Sequence, residues 1–360
     1  MTATALQTAR PATLAAEELA AAGQAASRAA AQGVVADYLG RKTANTRRRM
    51  AGDVATFAAY LVDCEAGAAA CELAAFAELV RTWHPTGPAP DLGAWAGTTW
   101  GLVAGFVQWQ LSEGYAVGAV NVRLSTVKTF CKLATQAGAL APGELPLIRA
   151  VAGYTQTEGR NLDTTREVTR RDKSKKAQPV AITPDLAARL KTQPDTAQGR
   201  RDRLIMCLLL DHGLRVGELA ALTVTDLDAQ AGHLIFYRPK VNKTQTHRLT
   251  EDTRQAITAY MTAGDVPAVG PILRGSRKGG ELGGAGMTER AITARVATLG
   301  RAVGLPGLSA HDCRHFWATQ AARHKTDPFA LRDAGGWSSL AMPSRYVEAA
   351  KIANEGVKLS

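Results

Sequence analysis

From Thr46 onward, apolar side chains recur at Met50, Val54, Phe57, Ala58 and Leu61. Steps of three and four residues lay such positions along one face of a helix. The same periodicity predicts helices over Glu72–Trp83, Thr98–Glu113 and Val117–Ala137. In the last of these, Val120, Leu124, Val127, Cys131 and Ala134 share a face, while Arg123, Lys128 and Lys132 lie away from its centre. Between the second and third helices, His84–Gly93 holds three prolines and two glycines and reads as a loop. Residues 1–36 are alanine-rich with few large apolar side chains, which suits an N-terminal arm or a peripheral helix. Residues 37–155 then form a first, all-helical domain.

The pattern lapses over 156–179, where Arg160, Arg166, Arg170, Arg171, Lys173, Lys175 and Lys176 sit among polar residues, as in a basic linker. A second domain, 180–348, opens with Thr183 as N-cap and Pro184 at the first helical position. A strongly apolar helix covers Arg203–Asp211, Gly213 breaks it, and Val216–Leu222 begins another. His233–Tyr237 and Thr246–Leu249 read as short strands joined by the basic turn Arg238–Lys243. Further helices are predicted over 251–262, 288–303, 309–323, 327–334 and 339–347. The expected fold is therefore mainly α with a small β-sheet in the second domain, followed by a tail, 349–360.

Composition narrows the partner. The chain of 360 residues has a formal net charge of +11 and a pI near 9.6, a balance that attracts nucleic acid. Arg47, Arg48 and Arg49 crowd the first turn of the helix after Thr46, the end of a helix dipole that disfavours cations. A partner such as DNA would account for them, and a solvated charged turn is the plainer reading. The five cysteines are scattered and suggest neither a disulfide framework nor a metal site. No apolar run is long enough to span a bilayer, and the opening residues lack a signal-peptide pattern. The expectation is a soluble cytoplasmic protein that uses no cofactor.

Four separated segments carry chemistry. In Gly213-Leu-Arg-Val-Gly-Glu218, Arg215 and Glu218 are three apart, so a helical turn lets the carboxylate hold the guanidinium; such pairs are common on ordinary helices. In Ser309-Ala-His-Asp-Cys-Arg314, Ser309 and Asp312 have capping-box spacing. His311 and Arg314 then share a face near a helix N-terminus, a place suited to anions. The basic turn offers Lys240 and Lys243, and lysines at a hairpin tip are usually just solvated. The segment Gly335-Gly-Trp-Ser ends one helix, and Tyr346 falls on the next, where in isolation it would be a core residue.

Taken in order, these segments resemble the tyrosine recombinase, or phage integrase, family, with a Gly-Gly-Trp box of the Cre-like kind. The likeness covers residues 180–350 and extends more loosely over the first domain around Asn121–Phe130. It implies a two-domain protein forming a C-shaped clamp on duplex DNA. It implies a catalytic set of Arg215, Glu218, Lys243, His311, Arg314, Trp337 and Tyr346, with Lys240 as the fallback lysine. Tyr346 follows Trp337 by nine positions, as the family spacing requires. Trp337 stands where many members have histidine, and an indole donates one hydrogen bond but shuttles no proton.

The residue types suit the reaction. Two guanidiniums clamp phosphate oxygens; a phenol attacks the phosphorus once its proton is removed, His311 being the candidate base; and a lysine protonates the departing 5′ oxygen. The resemblance further implies a 3′-phosphotyrosine and a Holliday-junction intermediate, with neither metal nor ATP. It implies a tetramer on two DNA sites, the partners being short inverted repeats, with the tail docked on a neighbouring protomer. Arg47, Arg48, Arg49, Arg123, Lys128, Lys132, Arg170, Arg171, Lys175, Lys176 and Lys240 are candidate DNA contacts from charge and helical phase. Two alternatives are a type IB topoisomerase, which uses similar side chains, and a catalytically silent DNA-binding protein.

Overall fold

A computed structural model of the chain describes residues 12–165, 179–277 and 279–350. The chain divides into two compact units, Met1–Lys175 and Lys176–Ser360.

The first unit is helical throughout its described residues. Its elements are α1 (Ala12–Gly40), α2 (Ala44–Asp63), α3 (Gly67–Thr82), α4 (Trp100–Ser112), α5 (Val117–Gln136), α6 (Glu144–Ala150) and α7 (Gln156–Thr165). Most of α1 is exposed, and Val35 and Leu39 near its end anchor it to the core. The stripe on α2 buries Met50, Val54, Phe57, Ala58 and Leu61. A short 3-10 turn, Leu92–Trp95, places Trp95 between Phe57 and Phe130, with ring centroids 5.8 and 5.6 Å away. The stretch read as a linker begins as helix α7, while residues 166–178 lie outside the described residues.

The arginines at the head of α2 have structural partners. Arg47 donates to the carbonyls of Lys42 (2.6 Å) and Leu39 (3.4 Å), at and just past the end of α1. Arg49 pairs with Asp53 one turn on and donates to Thr126 at 3.0 Å. Arg47 and Arg49 thus each reach a neighbouring segment, while Arg48 donates to Asn45 on α2 itself. Lys128 likewise donates to the carbonyls of Arg149 (2.9 Å) and Val151 at the end of α6. Arg123 lies over the Tyr115 ring, 4.2 Å from its centroid. Arg48 and Lys132 are exposed.

The second unit comprises α8 (Pro184–Lys191), α9 (Ala197–Asp211), α10 (Val216–Ala220), β1 (Leu227–Asp228), β2 (His233–Arg238), β3 (Lys243–Arg248), α11 (Glu251–Thr262), β4 (Arg274–Ser276), β5 (Leu282–Gly286), α12 (Glu289–Ala302), α13 (Ala310–Arg323), α14 (Pro328–Gly335) and α15 (Ala341–Ala350). Every residue from Leu204 to Leu210 on α9 is buried, as befits a central helix apolar all round. Strands β1, β2 and β3 form an antiparallel sheet in that order, with Arg238 opposite Lys243. A second two-stranded sheet, β4–β5, was not anticipated: Leu282-Gly-Gly-Ala-Gly286 lacks the β-branched and aromatic residues that signal a strand. Among the described residues, no helix is long and apolar enough to cross a membrane.

One buried pair makes this unit acid-sensitive. His212, at the end of α9, lies 5.8 Å from His247 on β3, centroid to centroid, and its Nε2 is 3.1 Å from Thr253 Oγ1. Burial pushes the His212 pKa from its ordinary 6.5 down to about 4, and neighbouring Lys191 adds to this. The unfolded chain therefore takes up this proton first, so stability is lost as pH falls from about 6.5 towards 4. At 1.4 kcal/mol per pH unit the loss from this one group is about 3 kcal/mol. Urea unfolding at pH 7 and pH 4 measures it, and His212→Gln should reduce the difference by about this amount, the remainder belonging to His247, which burial also holds at about 4; an unchanged difference would place the acid sensitivity elsewhere.

Candidate active site

Three arginines converge on the C-terminal end of α14. Gly336 caps that helix in the left-handed conformation, φ +57°. A Cβ on it would sit 2.5 Å from Arg238 Cδ, so the second glycine of the pair is required both by the turn and by the arginine beneath it. Arg238 is fully buried and donates to Ala334 O (2.8 Å), Gly335 O (3.1 Å), both carboxylate oxygens of Glu218 (3.1 and 3.2 Å) and Gln245 Oε1. Arg314, on α13, donates to the carbonyls of Gly213 and Gly335. Arg215 donates to Gly336 O at 3.2 Å. A helix C-terminus presents open carbonyls and partial negative charge, which is why guanidiniums collect there.

Glu218 is the carboxylate of this cluster. It is 4% exposed and bonds Arg215 twice, through the backbone N–H (2.9 Å) and Nη1 (2.7 Å). Arg215 is the N-cap of α10, so a local turn sets this pair, as the Arg-x-x-Glu spacing anticipates. Burial lowers the pKa of Arg238 to about 10 and that of Arg314 to about 9, the other arginines adding to the effect. Three cations facing one carboxylate make a region that favours an anion.

A cleft of about 600 Å³ opens here, lined in part by Arg215, Lys240, His311, Arg314, Gly336 and Trp337. Of the two candidate lysines, Lys240 lines it and Lys243 does not. The turn between β2 and β3 has Asn242 in the left-handed region, φ +48°, with its Oδ1 accepting from Tyr237 Oη at 2.6 Å. Arg314 lies 4.6 Å from the Trp337 ring centroid, a cation–π contact that supports the guanidinium plane.

Tyr346, on α15, is 5% exposed and packs against Trp337 and His315, with ring centroids at 5.8 and 5.3 Å. Burial raises its pKa, while Arg314 and Arg345 pull it back. Met342, one turn earlier, lines the cleft. His315 is the neighbour that sequence reasoning missed: its Nε2 is 3.0 Å from His311 Nε2, so it sits between His311 and the tyrosine. Its place directly after Arg314 and one turn from His311 was a usable signal, but only the packing of α15 on α13 reveals the contact. Arg170, Arg171, Lys175 and Lys176 lie outside the described residues.

The cationic cluster predicts that inorganic phosphate or vanadate stabilises the folded protein. An anion several-fold above its dissociation constant contributes about 1 kcal/mol, raising the melting temperature by about 2–4 °C. Differential scanning fluorimetry reads this, and the rise should vanish in Arg314→Ala. A rise retained in that variant would locate the anion elsewhere.

Residues 181–352 match the phage integrase family. The chain is 28% identical over 264 residues to the tyrosine recombinase XerC of Mycobacterium sp. (strain KMS), covering 72% of this chain and 80% of that protein. It is 27% identical over 320 residues to the tyrosine recombinase XerC of Mycobacterium bovis (strain BCG / Pasteur 1173P2), covering 86% and 89%. Its fold is similar to that of the XerH site-specific recombinase bound to palindromic difH substrate in a post-cleavage complex, with a TM-score of 0.53 and 15% identity over 82% of this chain and 80% of that one. The ordered motifs and the family match agree on the second unit: residues 181–352 match the phage integrase family, and the chain is similar to tyrosine recombinases along most of its length.

Proposed function

We propose that the protein cuts and rejoins DNA at specific sites through a covalent 3′-phosphotyrosine. The observation that carries this reading is the single cleft lined by Arg215, Arg314, Lys240, His311 and Trp337, with Tyr346 packed against its tryptophan. Arg215 and Arg314 bind the nonbridging oxygens of the scissile phosphate and take up the charge that builds there during attack. The Tyr346 oxygen attacks phosphorus after leaving its present packing, its proton passing to the His315–His311 pair. The P–O bond to the 5′ oxygen breaks, and that oxygen receives a proton from Lys240. Lys240 takes this role in preference to Lys243 because it lines the cleft. Glu218 fixes Arg215, and Trp337 supports Arg314 and the tyrosine.

The phosphotyrosine keeps the phosphodiester's energy, so a 5′ hydroxyl from a partner strand restores the DNA backbone without ATP or metal. Pairwise exchange of this kind passes through a Holliday junction and calls for a tetramer on two short, inverted-repeat sites. Arg48 and Lys132, both exposed, meet phosphates in this reading. Lys243, Arg123 and the basic residues 170–176 are further contacts in this reading. In a prokaryote the enzyme would work in the cytoplasm at the nucleoid.

The test is covalent capture. Nicked duplexes from the flanks of the protein's own gene are incubated with it in EDTA, digested with protease and analysed by mass spectrometry. A nucleotide carried on the Tyr346 peptide supports the reading. Site-specific binding with no adduct on any duplex would refute it in favour of a silent binder, and supercoil relaxation without strand exchange would favour a topoisomerase.

A further inference from the structure

Arg238 has no counterpart in the chemistry above, yet it is fully buried and donates five hydrogen bonds at the centre of the second unit. Strand β2 alternates, burying Leu234, Phe236 and Arg238 while exposing Ile235 and Tyr237. A guanidinium therefore occupies a position that the pattern reserves for an apolar residue. Burying such a charge is costly unless every donor is met, and here carbonyls 334 and 335, Glu218 and Gln245 meet it. Gln245, paired opposite Phe236 on β3, extends the contact by donating to Asp333 O.

Arg238 and Gln245 together tie the β2–β3 hairpin to three successive carbonyls, 333–335, at the end of α14. Gly335 O also receives Arg314, and Trp337 follows two residues later. Lys240 lies two residues beyond Arg238 on the hairpin turn. The same carbonyl run thus fixes a phosphate-binding arginine from one side and the lysine-bearing hairpin from the other. Glu218 also makes two bonds of its own to Arg215 within one turn of α10, whereas the ties from the hairpin to α14 run through Arg238 and Gln245.

We propose that Arg238, assisted by Gln245, is a positioning residue that docks the hairpin on α14 and so holds Lys240 at the leaving 5′ oxygen. This rests on the recombinase reading. It predicts a dependence on the leaving group: a 5′ thiolate departs readily without a proton, so a duplex with sulfur in place of the bridging 5′ oxygen does not need a well-placed lysine.

Cleavage rates are compared on oxygen and 5′-sulfur duplexes for the wild type, Lys240→Ala, Arg238→Gln and Gln245→Ala. On the oxygen duplex the expected losses are about 100-fold for Arg238→Gln and about 10-fold for Gln245→Ala, within the usual range of general-acid effects. On the sulfur duplex both variants should come within about threefold of the wild type, as Lys240→Ala does. Equal losses on both duplexes, or no loss on either, would overturn the proposal. If Arg238→Gln does not fold, Gln245→Ala decides the matter alone, because its side chain lies at the surface end of the contact. Failure of the wild type on both duplexes would instead overturn the recombinase reading, and Lys240→Ala unrescued by sulfur would overturn the role of that lysine on which the proposal stands.

Discussion

Tyr346→Phe binds its DNA site with unchanged affinity and forms no covalent adduct, a fall of about 10,000-fold or more, as expected when an attacking oxygen is deleted. The variant removes one atom from a ring that packs against Trp337 and His315, within a small apolar cluster that includes Ala318 and Ala322. That packing belongs equally to phenylalanine, so the fold should persist and the melting temperature should move by no more than about 2 °C. Gel-shift affinity, a denaturing gel for the adduct and a thermal scan together check the prediction. Adduct at the wild-type level would mean that another residue is the nucleophile. The variant also separates chemistry from assembly, because DNA-bound complexes stay trapped before cleavage and their stoichiometry reports how many protomers gather on two sites.

The helical architecture and the placement of the motif residues were legible because their signals are local. Thr183 before Pro184, Gly213 after the apolar run and the Ser309/Asp312 capping pair each act within four residues. Asp312 also accepts from the Val180 N–H at 3.1 Å, a contact across the domain that no local pattern announces. Arg238 was illegible for the same reason: its acceptors lie at 218, 245, 334 and 335, and an arginine ending a strand reads as solvated. Arg47 and Lys128 close the ends of α1 and α6, a role set by which helix C-terminus lies nearby in three dimensions. That Lys240 lines the cleft and Lys243 does not is likewise a matter of three-dimensional placement, which sequence spacing does not specify.

Arg314→Ala lowers adduct formation by about 1,000-fold, the upper range for loss of one preorganised donor to a developing oxyanion. Arg314 is 3% exposed, and two backbone carbonyls plus the Trp337 face fix its plane before any substrate arrives. That preorganisation is the source of its value: the guanidinium does not have to reorient as charge builds on the phosphate. Its depressed pKa, about 9, records the opposite side of the same arrangement, since burial and the neighbouring arginines disfavour the cation until an anion arrives. Lysine at this position restores the charge but neither the planar fork nor the ring contact, so Arg314→Lys should recover no more than about tenfold of the loss. Single-turnover cleavage at saturating protein measures both variants, with fluorimetry in phosphate as the companion reading. Losses below tenfold in Arg314→Ala would show that the phosphate is held by Arg215 and Lys240 without it. A lysine variant close to wild type would show that the site requires only positive charge, and the carbonyl-held geometry around α14 would then have no catalytic consequence.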